Sequence, residues 1–361
     1  GHTCTLCDMN IEGLHYIFGT TEPADDTWSR RAFKHLDRNI SALQDKQTYY
    51  NIDRYRRAVS DINRVLEIAG RDFDIQLTLA NYQDNTRSPL KSDDLLHAAG
   101  NFENNIFFPY FCKRLDSLLA DNDSKYIGIS LNYLSQALCS FAIAGYLKAR
   151  HPDVTIVMGG GLITTWLSHP QFNNRFDHLI DYFIGGRGEE PLLKLLGKAP
   201  GPVNTKPDFA PLLSNNYLAP GFIIPYATSF GCFWKRCSFC PERSEDNPYH
   251  HNSPATTVKD LQSLVLNTSP SLTHLLDNAV SPATLKALSR SANIGSWYGF
   301  VRFDTPLDDL EFCRKLRFSG CVMLKLGLES GDQGVLNRMD KGINLHLVSR
   351  ILRNLQEVGI S

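Results

Sequence analysis

The sequence has no excess charge of either sign: 37 Lys and Arg face 38 Asp and Glu, a net charge of −1 over 361 residues. No global field therefore draws the chain to nucleic acid or to an anionic membrane. It has no apolar run near the roughly eighteen residues a membrane helix needs, and Gly1-His2-Thr3 opens no signal-peptide pattern. No G-x-G-x-x-G follows a strand candidate, which argues against a dinucleotide. Nor are its nine cysteines spaced like a secreted disulfide framework, so a reducing cytoplasm is the expected compartment. No internal repeat or low-complexity tract breaks the chain. With 42% hydrophobic and 21% charged residues, what is left is an ordinary globular chain with room for two or three domains.

Three cysteines do stand together. Thr228-Ser229-Phe230-Gly231-Cys232-Phe233-Trp234-Lys235-Arg236-Cys237-Ser238-Phe239-Cys240-Pro241 places Cys232, Cys237 and Cys240 in a C-x4-C-x2-C loop after a short apolar strand candidate. Thiolates are the usual ligands of iron–sulfur clusters and common ligands of zinc. Three in one loop, with no fourth in step, suit a cubane cluster with one iron left open; a closed zinc site would recruit His250 or His251. Buried unliganded thiols are the ordinary reading for Cys112, Cys139, Cys313 and Cys321. Cys4 and Cys7 form a C-x2-C pair with no partner pair.

In chain order, residues 3–9 read as a strand ending in an acidic turn at Asp8-Met9-Asn10, which would leave an α/β domain without its first βα unit. Residues 25–75 read as amphipathic helix, with Ile52, Tyr55, Val59, Ile62 and Val65 at helical spacing. Residues 85–110 read as an irregular excursion. A regular rhythm then begins: a buried strand over 126–130, a helix over 136–150, a strand over 154–158 running into Gly159-Gly160-Gly161, and Tyr182-Phe183-Ile184 closing on Gly185-Gly186-Arg187-Gly188-Glu189-Glu190. A helix over 191–196 follows. Strand–helix–strand with short turns implies parallel pairing in a doubly wound sheet, with ligands at the carboxyl ends of the strands.

Residues 197–222 are rich in Pro and Gly and read as a linker between a domain of residues 1–196 and one of residues 223–361. The second contains four βα units in sequence. Their strands end on the cysteine loop, Asp277-Asn278, Arg302-Phe303-Asp304 and Glu329-Ser330, the arrangement of a partial barrel with its site at the strand C-termini.

Taken in order, these marks resemble the radical S-adenosylmethionine (SAM) enzymes that carry an N-terminal cobalamin-binding-type domain. The marks are Gly128-Ile129-Ser130 with Gln136, Gly159-Gly160-Gly161, Gly188-Glu189-Glu190, the cysteine loop, Asp277-Asn278, Arg302-Phe303-Asp304 and Leu326-Gly327-Leu328-Glu329-Ser330. The resemblance implies an N-terminal cobalamin-binding-like sheet followed by the first four units of a (βα)6-type radical SAM core, with both ends of the chain truncated. It implies a [4Fe-4S] cluster on Cys232, Cys237 and Cys240. It implies SAM near Phe239, Asp277, Asn278, Arg302, Glu329 and Ser330. Cobalamin would lie over Ser130, Leu131, Asn132, Gly159, Gly160, Gly161, Gly186, Gly188 and Glu189, facing the barrel. Two features depart from the family pattern: the first cysteine gap is x4 where x3 is usual, and the cobalt-ligating D-x-H-x-x-G is missing. The implied chemistry is reductive cleavage of SAM to a 5′-deoxyadenosyl radical, leading to cobalamin-dependent methylation of an unreactive carbon. The alternatives are a rearrangement or cyclisation with a vestigial cobalamin domain, and a non-catalytic iron–sulfur redox sensor. The implied partners are a small-molecule or peptide substrate and an electron donor such as flavodoxin or ferredoxin.

Overall fold

The computed structural model describes residues 4–121, 124–199 and 206–361. Two compact units divide them, the first taking back residues Asn215–Ala219 from the segment that joins them.

The first unit opens with helices rather than a strand. The elements α1 (Met9–Thr20), α2 (Thr27–Lys34), α3 (Leu36–Gln44) and α4 (Ile52–Arg71) precede a hairpin of β1 (Ile75–Leu77) and β2 (Tyr82–Asp84). The strand expected over residues 3–9 is not formed in its described part, residues 4–9. Asp8 accepts hydrogen bonds from the N–H groups of Asn10 and Ile11 and starts α1; the residue type that closes a turn also caps a helix. In α4, Ala58, Ile62, Val65 and Leu66 are buried on one stripe, while Ile52 in the first turn is exposed. The excursion expected over 85–110 contains α5 (Ser92–Gly100), whose Asp93 and Asp94 favour the positive end of the helix dipole.

After α6 (Phe108–Asp121), the unit forms β3 (Tyr126–Ser130), α7 (Leu134–Arg150), β4 (Thr155–Gly159), α8 (Gly161–Ser168), β5 (Tyr182–Ile184) and α9 (Glu189–Leu195). The three strands pair in parallel in the order β3–β4–β5. That order runs one way, so the reversal that defines a doubly wound sheet is not among the described strands. β3 is an edge strand whose residues alternate between exposed and half-buried, so the expectation of a buried strand fails there. β4 carries the buried Ile156, Val157 and Met158. α5 and α7 touch backbone to backbone at Gly145, where an added Cβ would lie 1.9 Å from the carbonyl oxygen of Ala99.

The expected linker is packed rather than free, apart from residues 200–205, which lie outside the described residues. Lys206 donates to Ser263 at 2.6 Å and Phe209 packs against Phe222. Asn216 and Tyr217 instead bond to His15 and Asp8 of the first unit.

The second unit contains β6 (Ile223–Tyr226), β7 (Ser229–Phe230), α10 (Pro241–Ser244), β8 (His250–His251), α11 (Pro254–Thr268), β9 (Leu272–Leu275), α12 (Pro282–Leu288), β10 (Trp297–Val301), α13 (Leu310–Phe318), β11 (Cys321–Leu326), α14 (Gln333–Arg338) and α15 (Leu345–Glu357). Four strands form a parallel sheet in the order β11–β10–β9–β6. Ser253-Pro254-Ala255-Thr256 and Ser281-Pro282-Ala283-Thr284 start α11 and α12 in the same way. In each, the serine caps the threonine N–H and proline takes the first helical position, where its missing N–H costs nothing. Ile224, Leu275, Trp297 and Leu324 bury one face of the sheet against Leu264, Leu288, Leu316 and Ile351 of the helices.

At the sheet's C-terminal end the carboxylate of Asp277, only 1% exposed, joins two strand ends. It accepts from the N–H and hydroxyl of Thr228, at 3.0 and 2.6 Å, and from the hydroxyl of Ser229 at 2.5 Å.

Three substitutions test this packing. Gly145→Ala should lower the stability of the first unit by about 3 kcal/mol, at the upper end of overpacking effects. Gly128→Ala, where an added Cβ meets nothing within 4 Å, should leave it unchanged; urea denaturation followed by circular dichroism compares them. Asp277→Ala strands three buried donors and should cost the second unit about 3 kcal/mol or more. Denaturation monitored by tryptophan fluorescence reads that loss, and an unshifted midpoint would show the carboxylate to be dispensable.

Candidate functional site

The cysteine loop leaves the sheet at Thr228 and is closed at its base by β7 and β8, which pair antiparallel. His250 and His251 are thereby committed to strand pairing and stand exposed. Gly231 turns the chain at φ 73°, and an added Cβ there would meet the carbonyl oxygen of Pro248 at 2.5 Å. Only glycine satisfies both the angle and the contact. Lys235 lies within the unusually long first gap in the left-handed region, at φ 45°. The longer gap is thus accommodated by a local backbone turn. The N–H of Cys240 bonds to the carbonyl of Cys237, and Cys240 leads into α10 behind Pro241.

The three thiols are free. None is in a disulfide, Cys237 is buried, and Cys232 and Cys240 are half-buried. Among the described residues no three His, Cys, Asp or Glu side chains converge as they would on a single ion. Each cysteine of a cubane binds a different iron, so convergence on one point is not what that ligand set requires. Three free thiols in one loop are chemically a fit for such a cluster, whose usual ligands are cysteine sulfurs.

The loop is clamped by a segment about a hundred residues later. Trp234 donates through Nε1 to the carbonyl of Asp340 at 3.1 Å, and the N–H of Ser238 bonds to the carbonyl of Met339 at 2.9 Å. The guanidinium carbons of Arg302 and Arg236 stand 4.1 and 4.9 Å from the Trp234 ring centroid, and Arg236 pairs with Asp340 at 2.8 Å. Gly342, at φ 68°, presses on the same ring; a Cβ there would fall 2.1 Å from it. Lys341 then ties three expected SAM residues together. Its ammonium sits 5.4 Å from the Phe239 ring centroid and 3.1 Å from Glu329, while its carbonyl accepts from Arg302. Phe239 is 49% exposed.

The other expected residues sit apart from that group. Asp277 has its oxygens occupied by Thr228 and Ser229 and serves as an anchor. Asn278 donates to Glu242 Oε1 at 2.8 Å. Ser330 accepts from the N–H of Asp332 and is not gathered with the rest. Glu242 Oε2 is buried with no hydrogen-bond partner, an orphaned acceptor two residues after the last cysteine. Trp234, Lys341 and Glu242 are the site residues the sequence reading missed. For Trp234 a signal existed in its place inside the gap between Cys232 and Cys237.

In the first unit, the carboxyl ends of β3, β4 and β5 converge. Gly160, at φ 110°, lies so close to Leu131 that a Cβ would be 2.4 Å from its carbonyl oxygen. The N–H of Gly161 is taken by Asn132 Oδ1 at 2.9 Å, and that of Gly186 by the hydroxyl of Thr164 at 2.9 Å. Asn132 also donates to Ser130, and Gln136 accepts from the N–H groups of Asn132 and Tyr133. Leu131 is fully buried. Gly188 caps α9, and Glu189 pairs with Arg187 at 3.4 Å. Of the residues expected to meet cobalamin, Ser130, Asn132, Gly161, Gly186 and Glu189 are exposed. They offer a cofactor side-chain oxygens and open glycine surface more than free backbone donors.

No protein-family model matches the sequence, and no curated protein matches it. Solved structures do. The cobalamin-dependent S-adenosylmethionine radical enzyme OxsB with aqua-cobalamin bound matches 70% of this chain and 42% of its own, at 19% identity and a TM-score of 0.53. The same enzyme with aqua-cobalamin and S-adenosylmethionine bound matches the same shares at 18% identity and 0.53. A looser match, at 17% identity and 0.49, is the radical S-adenosylmethionine methyltransferase TsrM from Kitasatospora setae, covering 69% of this chain and 57% of that one. The chain thus spans less than half the length of OxsB, and over 70% of its residues its fold is similar to that of a cobalamin-dependent radical SAM enzyme.

Proposed function

We propose that the chain is the cobalamin-binding-like unit (residues 1–196) and the first four βα units (residues 223–361) of a radical SAM enzyme. The observation that carries this reading is the cysteine loop at the C-terminal end of a parallel sheet, pinned by Asp277 on one side and by Trp234 on the other. When bound, a [4Fe-4S] cluster supplies the one electron that splits the sulfonium C–S bond of SAM into methionine and a 5′-deoxyadenosyl radical. Cys232, Cys237 and Cys240 would hold it. The rest of the loop's surroundings suit SAM. Arg302 pairs with no carboxylate among the described residues and would meet the one on SAM. Glu242, with its orphaned Oε2, and Asn278 would receive the ammonium group, and Phe239 would lie along the adenine. Glu329 would face the ribose, while Asp277 keeps the loop in place.

Methylation of an unreactive carbon is the reading that also uses the first unit, through Ser130, Asn132, Gly161, Gly186, Gly188 and Glu189. Rearrangement or cyclisation without cobalamin is the second reading, favoured by one observation: the N–H groups of Gly161 and Gly186 are already spent on internal hydrogen bonds. An external single-electron donor such as flavodoxin or ferredoxin goes with either. Among the described residues no helix is long and apolar enough to cross a membrane.

The test is anaerobic reconstitution with iron and sulfide, then incubation with SAM and dithionite. The wild-type protein should form 5′-deoxyadenosine. Cys232→Ala, Cys237→Ala and Cys240→Ala should each lose bound iron and the product together. A wild-type protein that holds iron but releases no 5′-deoxyadenosine would point to a non-catalytic redox role. Retention of cobalamin on purification in its presence separates methylation from the second reading.

A further inference from the structure

The parallel sheet of the second unit buries one face under its helices and turns the other away from them. Strand alternation places Pro225, His274, Tyr298, Phe300 and Lys325 on that second face. The register sets Pro225, His274 and Tyr298 in one cross-strand row and Phe300 opposite Lys325 in the next. The His274 and Tyr298 rings stack, 4.3 Å apart and 6° from parallel. The Lys325 ammonium stands 5.2 Å from the Tyr298 ring centroid and 5.0 Å from that of Phe300. Phe300 is 42% exposed.

Two groups on this wall lack a polar partner among the described residues. Lys325 is half-buried on a strand and pairs with no carboxylate among the described residues. His274 Nε2 is buried with no hydrogen-bond partner. Burial and the charge of Lys325 lower the pKa of His274 below its usual value, so at neutral pH the imidazole is uncharged and Lys325 is the only charge in the group. A cation over aromatic rings, with no counter-ion, is complementary to an anion attached to a flat or apolar body.

We propose that this face is the substrate wall, and that Lys325 receives an anionic group, a carboxylate or a phosphate, of a substrate whose flat part lies along Tyr298 and Phe300. The occupant's identity as substrate rests on the radical SAM reading above, whereas binding of the anion does not need the cluster. Saturation-transfer NMR on the purified protein, with phenyl phosphate, benzoate and neutral benzyl alcohol as probes, tests it. One or both anions should bind at least about tenfold more tightly than benzyl alcohol, and the stronger of the two identifies the anionic group. Lys325→Gln should remove that advantage, and Lys325→Arg should keep it. Equal binding of all three probes by the wild-type protein overturns the proposal even if Lys325→Gln fails to fold, and so does unchanged anion binding in a folded Lys325→Gln. Anion binding without 5′-deoxyadenosine formation by the reconstituted wild type would remove the radical reading and leave the anion site. The converse result would remove the anion site alone.

Discussion

The cysteine loop depends on one buried carboxylate. A folded sheet presents its strand ends as separate, flexible exits, and nothing in β-pairing alone tells the chain after β6 where to go. Asp277, at the end of β9, settles this by gathering the backbone of Thr228 and the hydroxyls of Thr228 and Ser229. A carboxylate out of water is tolerated only when its oxygens are satisfied, so three donors stabilise the anion while the anion fixes the donors. From that point the loop has little freedom: β7 and β8 close its base, and Gly231 sets its turn.

The second half of the chain was largely legible because its signals are local. The apolar strand segments and the polar residues after them each declare themselves within a few residues; β6, β9 and β10 end within two residues of the polar ends read from the sequence, whereas β11 stops at Leu326, short of Glu329. The misses have physical causes. Asp8 starts a helix because the same side chain that ends a turn can cap one. β3 is an edge, which its composition does not distinguish from a central strand. Asp277 reads as a ligand residue beside Asn278, yet its oxygens are taken by Thr228 and Ser229 and it is buried as an anchor. Lys341 and Glu242 were invisible because their roles arise from contacts that no local pattern encodes.

The glycine-rich strand ends of the first unit show how one composition serves two purposes. Gly160 is required by the approach of its backbone to Leu131, which is a packing role. Gly186 has open space where a Cβ would be, which is the feature expected of a surface that a ligand approaches. The motif reading treated these glycines alike, and only their surroundings separate them.

The bond from Trp234 to Asp340 spans 106 residues, and the bonds to Asp277 span about fifty. Contacts of such separation form late, because closing long loops costs entropy that local structure does not offset until most of the sheet exists. During synthesis the cysteines therefore emerge well before the residues that shape their loop. For that interval the three thiols are unconfined, and their final arrangement has to wait for the residues that follow α14. The order of folding thus sets the earliest moment at which the loop can take its final shape.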